Sequence, residues 1–183
     1  MSETQMNNFS LISRLFGNLF YRSPTDQILS GVFNWLQQQG LSQVWALSTD
    51  KESEAAIDNL QMKIDLALLD QEYQKLFGSN GNVPTAISSY GVDVQRFVDF
   101  RHARNVPEVE NVDHFALLLL TASWLEDNTE SLSAQQDLFG DFLLPCAAKF
   151  LTQVETYATL PFYRSLAYLT REILAAMADE LEE

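Results

Sequence analysis

Few side chains in this sequence can do chemistry, and their spacing decides how they are read. Two histidines, His102 and His114, and one cysteine, Cys146, are the whole stock of imidazole and thiol. A serine nucleophile needs a positioned base, so the histidines come first. His102 sits among Arg101 and Arg104 on a polar stretch and reads as solvated surface. His114 follows Asp113 at the head of the most apolar stretch, with Glu110 three residues before the aspartate. An acid at that place is expected as a helix cap, and the histidine reads equally as a satisfied core residue or as a contact to a ligand. Cys146, just after Pro145 in an apolar stretch, reads as a buried small hydrophobe.

Known catalytic spacings do not occur. The sequence has no Gly-x-Ser-x-Gly, His-Glu-x-x-His, Walker-type or dinucleotide-type glycine pattern. One Cys and two His cannot build a Cys/His zinc site, and a lone Cys cannot form an intramolecular disulfide. With 25 Asp+Glu in 183 residues, paired carboxylates arise by chance and carry no weight, although a carboxylate-rich metal site stays formally open. The expectation is no catalytic residue, no metal ligand and no cofactor.

The elements that position these residues are expected to be helices. Leu outnumbers Ile plus Val by 27 to 16, and 7 Gly with 5 Pro are few, which favours helix over turn-rich sheet. Phe9, Ile12, Phe16, Leu19 and Phe20 share one helical face. Ser23-Pro24-Thr25-Asp26 reads as the start of a second helix running to Gly40, with Ser23 as its cap. Thr49 to Glu52 and Ser133 to Gln136 read as capping boxes. A helix over 66–77 ends at Gly78, and the turn-rich stretch Ser79 to Pro84 continues without helical pattern to Gly91. A polar helix is expected over 93–104, a core helix over 111–126, a segment to Thr156 that Pro145 kinks or breaks, and a last helix behind Pro161. No internal repeat or long linker is present. The prediction is an all-α, single-domain bundle of roughly 8 to 11 helices over residues 1–183.

Charge narrows the partners. The 11 Lys+Arg against 25 Asp+Glu leave a net charge of −14, which disfavours a nucleic-acid partner, because affinity for phosphates comes from cations. The longest apolar run, Phe115 to Ala122, is far short of the roughly 20 residues of a bilayer span. Met1 to Asn8 has no cationic leader, so a cytoplasmic protein is expected. The stretch Phe77 to Gly91 is expected to line a groove beside the Asp113-His114 turn, where acidic charge suits a basic, partly apolar peptide. Surplus acid as a simple aid to solubility is the competing reading.

Ordered motifs add a resemblance. Glu72 to Gly78, then Val83-Pro84 and Ser88-Ser89, then Glu110-Asn111-Val112-Asp113-His114 resemble the motif series of the TorD/DmsD family of redox-enzyme maturation chaperones. Thr121 to Asp127, Phe142 to Cys146 and Pro161 to Arg164 resemble the YcdY branch of that family. The likeness runs from Phe9 to Glu183, with Val112 where many members have proline and Thr85-Ala86 where an aromatic is common. It implies a TorD-like fold, no enzymatic activity, and cytoplasmic binding of an immature metalloenzyme. The client would be a molybdoenzyme precursor with a twin-arginine signal peptide, or a zinc-dependent phosphohydrolase of the kind tied to the YcdY branch. Mapped onto this chain, the family's binding region falls on Tyr73, Leu76, Phe77, Pro84, Asp113 and His114, and Glu110 and Trp124 join them as candidate partner-binding residues. A monomer or a domain-swapped homodimer fits the family. A small hydrolase built on Asp113 and His114, or an oligomeric scaffold, are the readings from other classes.

Overall fold

The computed structural model describes residues 3–45 and 47–182; Met1, Ser2, Ala46 and Glu183 lie outside the described residues. Among the described residues there are ten α-helices and no strand. Helix α1 (Glu3–Tyr21) buries the expected face, with Phe9, Ile12, Phe16 and Phe20 at 0% exposure. It lies along α7 (Phe115–Asn128), whose residues Phe115 to Leu119 are all buried. Small residues make that seam close. Ser13 Oγ donates to the Leu119 carbonyl at 2.7 Å and Ser10 Oγ to Asp127 Oδ1 at 2.6 Å. A Cβ added at Gly17 would lie 2.8 Å from the Leu120 side chain.

Several helix starts differ from the expectation. Asp26, not Ser23, is the first cap: it accepts from Ile28 N at 2.9 Å and opens a 3-10 turn (Gln27–Leu29) leading into α2 (Ser30–Gln37). Ser23 instead donates to Asp70 Oδ1 at 2.6 Å. Gly40 does not end this helix but begins α3 (Gly40–Val44), and its missing side chain leaves room for the Trp35 ring, which a Cβ would meet at 2.2 Å. Helix α4 (Lys51–Gln61) is capped by Asp50 rather than Thr49, and α8 (Leu132–Leu138) by Ser131 rather than Ser133. A cap works only where its oxygen reaches the amide two or three residues on, and the buried face fixes where the helical turn begins. In α8 that face includes Ala134, Gln135 and Leu138, and Gln136, the second half of the expected box, instead donates from Nε2 to the Leu181 carbonyl at 2.8 Å.

Helix α5 (Leu66–Phe77) ends at Gly78 as expected. The stretch after it contains a 3-10 turn (Ile87–Tyr90) before α6 (Val94–Ala103). The break expected at Pro145 is a π turn (Phe139–Leu143) joining α8 to α9 (Leu144–Tyr157), with the proline in the first turn of α9. A widened turn suits a residue that lacks an amide and whose ring crowds the preceding turn. Helix α10 (Pro161–Glu182) packs on α4 and α9. The centre of the molecule is aromatic. Phe115 and Phe150 stack at 4.1 Å, and Phe20 and Phe77 meet Phe150 at 5.4 and 5.9 Å. One ring from each of α1, α5, α7 and α9 thus fixes the elements around the candidate site.

Candidate functional site

The Phe77 to Gly91 stretch does lie against the start of α7, and the contacts are specific. Asp113 accepts from Ser88 twice, from the backbone amide at 3.1 Å and from Oγ at 2.7 Å. Phe115 N donates to the Thr85 carbonyl at 2.8 Å. Asp113 is therefore not the cap of α7, as a first-turn acid would ordinarily be; it holds the loop down. The cap is His114, whose Nδ1 accepts from Ala116 N at 3.0 Å. Its ring is buried edge-on against Tyr21, 5.0 Å between centroids. Burial lowers the His114 pKa to about 4, and the neighbouring Asp113 opposes this only weakly. The imidazole is neutral at pH 7, with its proton on Nε2 because Nδ1 is accepting.

Tyr73 belongs to the same region through Tyr21. Its hydroxyl donates to the Phe20 and Tyr21 carbonyls at 3.1 and 2.9 Å, the end of α1, and burial pushes its pKa up to about 12. Leu76 at 1% and Phe77 at 9% exposure face the core, Phe77 touching Phe20, Tyr73, Phe150 and Tyr163. Of the expected binding residues, Leu76 and Phe77 have their surfaces already used inside. Glu72 beside them is buried too, accepting from Thr159 N at 3.1 Å and Leu160 N at 2.9 Å just before α10.

The exposed members are Pro84 and Glu110, with Asp113 half-buried. Tyr90 Oη donates to the Pro84 carbonyl at 2.6 Å, so the proline sits on a braced turn. Trp124 is half-buried on α7 ten residues after His114, about 15 Å along the helix axis, and is not part of this cluster. Next to Asp113, the segment after α6 forms a cavity of about 190 Å3 with Val98, Arg101, Val106, Val109 and Val112 among its walls. Val109 is 43% exposed at its edge. Arg101 is buried, donates to the Pro107 carbonyl at 2.8 Å, and leaves its Nε without a partner among the described residues.

The contributors that the sequence reading left out of the site include Tyr21, Thr85, Arg101 and Val109. Thr85 acts through its carbonyl and leaves no side-chain signature, whereas Tyr21, last in α1, could have been found as the aromatic that ends an otherwise core-facing helix. Chemically, the cluster offers no activated nucleophile. Ser88 Oγ gives its proton to Asp113 and not to His114, and the accepting nitrogen of His114 is occupied by a backbone amide. No group of three or more His, Cys, Asp or Glu that could hold a metal ion occurs among the described residues. No helix is long and apolar enough to cross a membrane among those residues.

No family model matches the chain. It is 75% identical over its whole length to an uncharacterized protein of Haemophilus influenzae, which it covers completely. It is 39% identical to the chaperone protein YcdY of Escherichia coli, covering 97% of this chain and 98% of the other. The Tat proofreading chaperone DmsD of Salmonella typhimurium is 27% identical over 97% of this chain and 92% of its own.

Proposed function

Because the chain belongs to the TorD/DmsD family of chaperones, together with YcdY and DmsD, we propose that it binds an immature metalloenzyme in the cytoplasm and assists insertion of its metal or cofactor. The observation that carries the reading is the latched loop. A segment with exposed Pro84 is held on the core by Asp113, which follows exposed Val109 and Glu110 in the chain, and the cluster offers no activated nucleophile of its own. Such a face is suited to gripping another chain rather than to turnover. The client surface comprises Pro84, Val109, Glu110 and the cavity beside Val112. Tyr73, Leu76, Phe77 and His114 support it from beneath. A zinc-dependent phosphohydrolase is the favoured client, because likeness to YcdY exceeds likeness to DmsD, 39% against 27% identity. A molybdoenzyme precursor with its twin-arginine signal peptide is the second.

The test is co-purification of the chaperone with metal-free phosphohydrolase and, separately, titration of labelled twin-arginine peptides. Enrichment of the hydrolase, weakened about tenfold by Glu110→Lys with unchanged helicity, supports the first client; saturable, salt-sensitive peptide binding supports the second. If neither binds better than it does to an unrelated acidic helical protein, the proposal fails.

A further inference from the structure

At the opposite end of α7 from His114, the chain forms a second feature whose groups call for a partner. The end of α7, the turn into α8 and the last turns of α10 enclose a notch of about 150 Å3. Its apolar wall includes Leu125, Met177 and Leu181, and Leu132 stands on its edge at 55% exposure. Every charged side chain that lines it is a glutamate. Among the described residues no lysine or arginine pairs with Glu126 or Glu130, and burial holds the Glu126 carboxyl above its ordinary range.

Gln135 is the independent sign. It is 4% exposed and lines the notch, with Nε2 donating to the Ala122 carbonyl at 2.8 Å and to Glu126 Oε2 at 3.1 Å. Among the described residues its Oε1 has no donor. Buried carbonyl oxygens are almost always satisfied, so an orphan on an otherwise acidic wall marks a missing donor. The donor that fits is cationic and presents several N–H groups at once, because the acceptors come from separate side chains. A bare metal ion fits less well, since no ready cluster of metal-ligating side chains is assembled here among the described residues.

We propose that this notch takes an arginine side chain of a bound partner protein, its methylene stem lying over Leu132 and its guanidinium meeting Glu126, Glu130 and Oε1 of Gln135. The notch lies apart from the loop that Asp113 holds, so the site stands or falls independently of the client reading above. The probe is an acetylated, amidated Leu-Arg-Leu peptide, compared with the same peptide carrying citrulline, which keeps the shape and loses the charge. Followed by NMR, the arginine peptide is expected to shift the Gln135 side-chain amide saturably, and Glu130→Gln to weaken it about threefold to fivefold. Asp58→Asn, exposed on α4 and not among the residues lining the notch, leaves binding unchanged. Equal binding of the citrulline peptide, indifference to Glu130→Gln, or saturation of the same signals by calcium in place of the peptide overturns the proposal.

Discussion

His114 shows how one residue can be chemically eye-catching and structurally committed. Its folded-state pKa near 4 lies below the ordinary 6.5, so the neutral form is the one that folding favours. Above pH 6.5 both folded and unfolded chains carry it neutral, and its contribution to stability is fully present. As the pH falls from there toward 4, the unfolded chain takes up a proton that the folded chain refuses, and stability is lost, by up to about 3 kcal/mol. His114→Asn retains an accepting cap and removes the titration. Urea midpoints for both proteins at about pH 7 and about pH 4.5 check this: the wild type is expected to lose more stability over that interval than the variant. Leu76→Ala belongs to the same scale. It opens a cavity under the loop and costs about 2–5 kcal/mol, so any loss of client binding that it causes reports unfolding, unlike the loss caused by Glu110→Lys.

At the scale of elements, the seam between α1 and α7 is the most demanding contact. Gly17→Val forces the helices apart at Leu120 and is expected to destabilise by about 1–3 kcal/mol, read as a drop in thermal midpoint with helicity kept at low temperature. The apolar face from Phe9 to Phe20 and the core character of Phe115 to Leu119 were legible from spacing alone, because burial of a helical stripe repeats along the chain. The small stripe Ser10, Ser13, Gly17 has the same spacing but was silent, since serine and glycine signal a close approach only when the facing helix is known. Caps were shifted by one to three residues at Asp26, Asp50 and Ser131, because several polar residues compete for each helix start and packing chooses among them. The candidate site was legible as a place, loop 77–91 against Asp113 and His114, but not as a division of labour. Nothing in a linear motif says that Leu76 turns inward while Pro84 stays out.

For the whole molecule, 25 acids against 11 basic residues form a field that acts on any partner before contact. A client with a basic face is expected to associate more slowly as salt rises, with dissociation changed far less, because screening acts on the encounter once the Debye length falls below about 10 Å. Stopped-flow association at about 0.05 M and about 0.5 M salt measures this, and an unchanged association rate would count against charge-guided encounter. The two acidic regions, around Glu108 to Asp113 and around Glu126 to Glu130, sit at different ends of the bundle. A client could therefore be guided to one end and read at the other.

Cys146 lies at 0% exposure in the first turn of α9, its pKa pushed up to about 12 by burial and by the nearby Asp113 carboxylate. As the only thiol in the chain, it is a natural clock for the latch. A thiol-directed reagent can react only during those intervals when the loop lifts and water reaches the sulfur, so the labelling rate counts openings. Ser88→Ala, which removes one of the two bonds to Asp113, is expected to speed that clock several-fold while leaving the helices intact, and client binding to slow it.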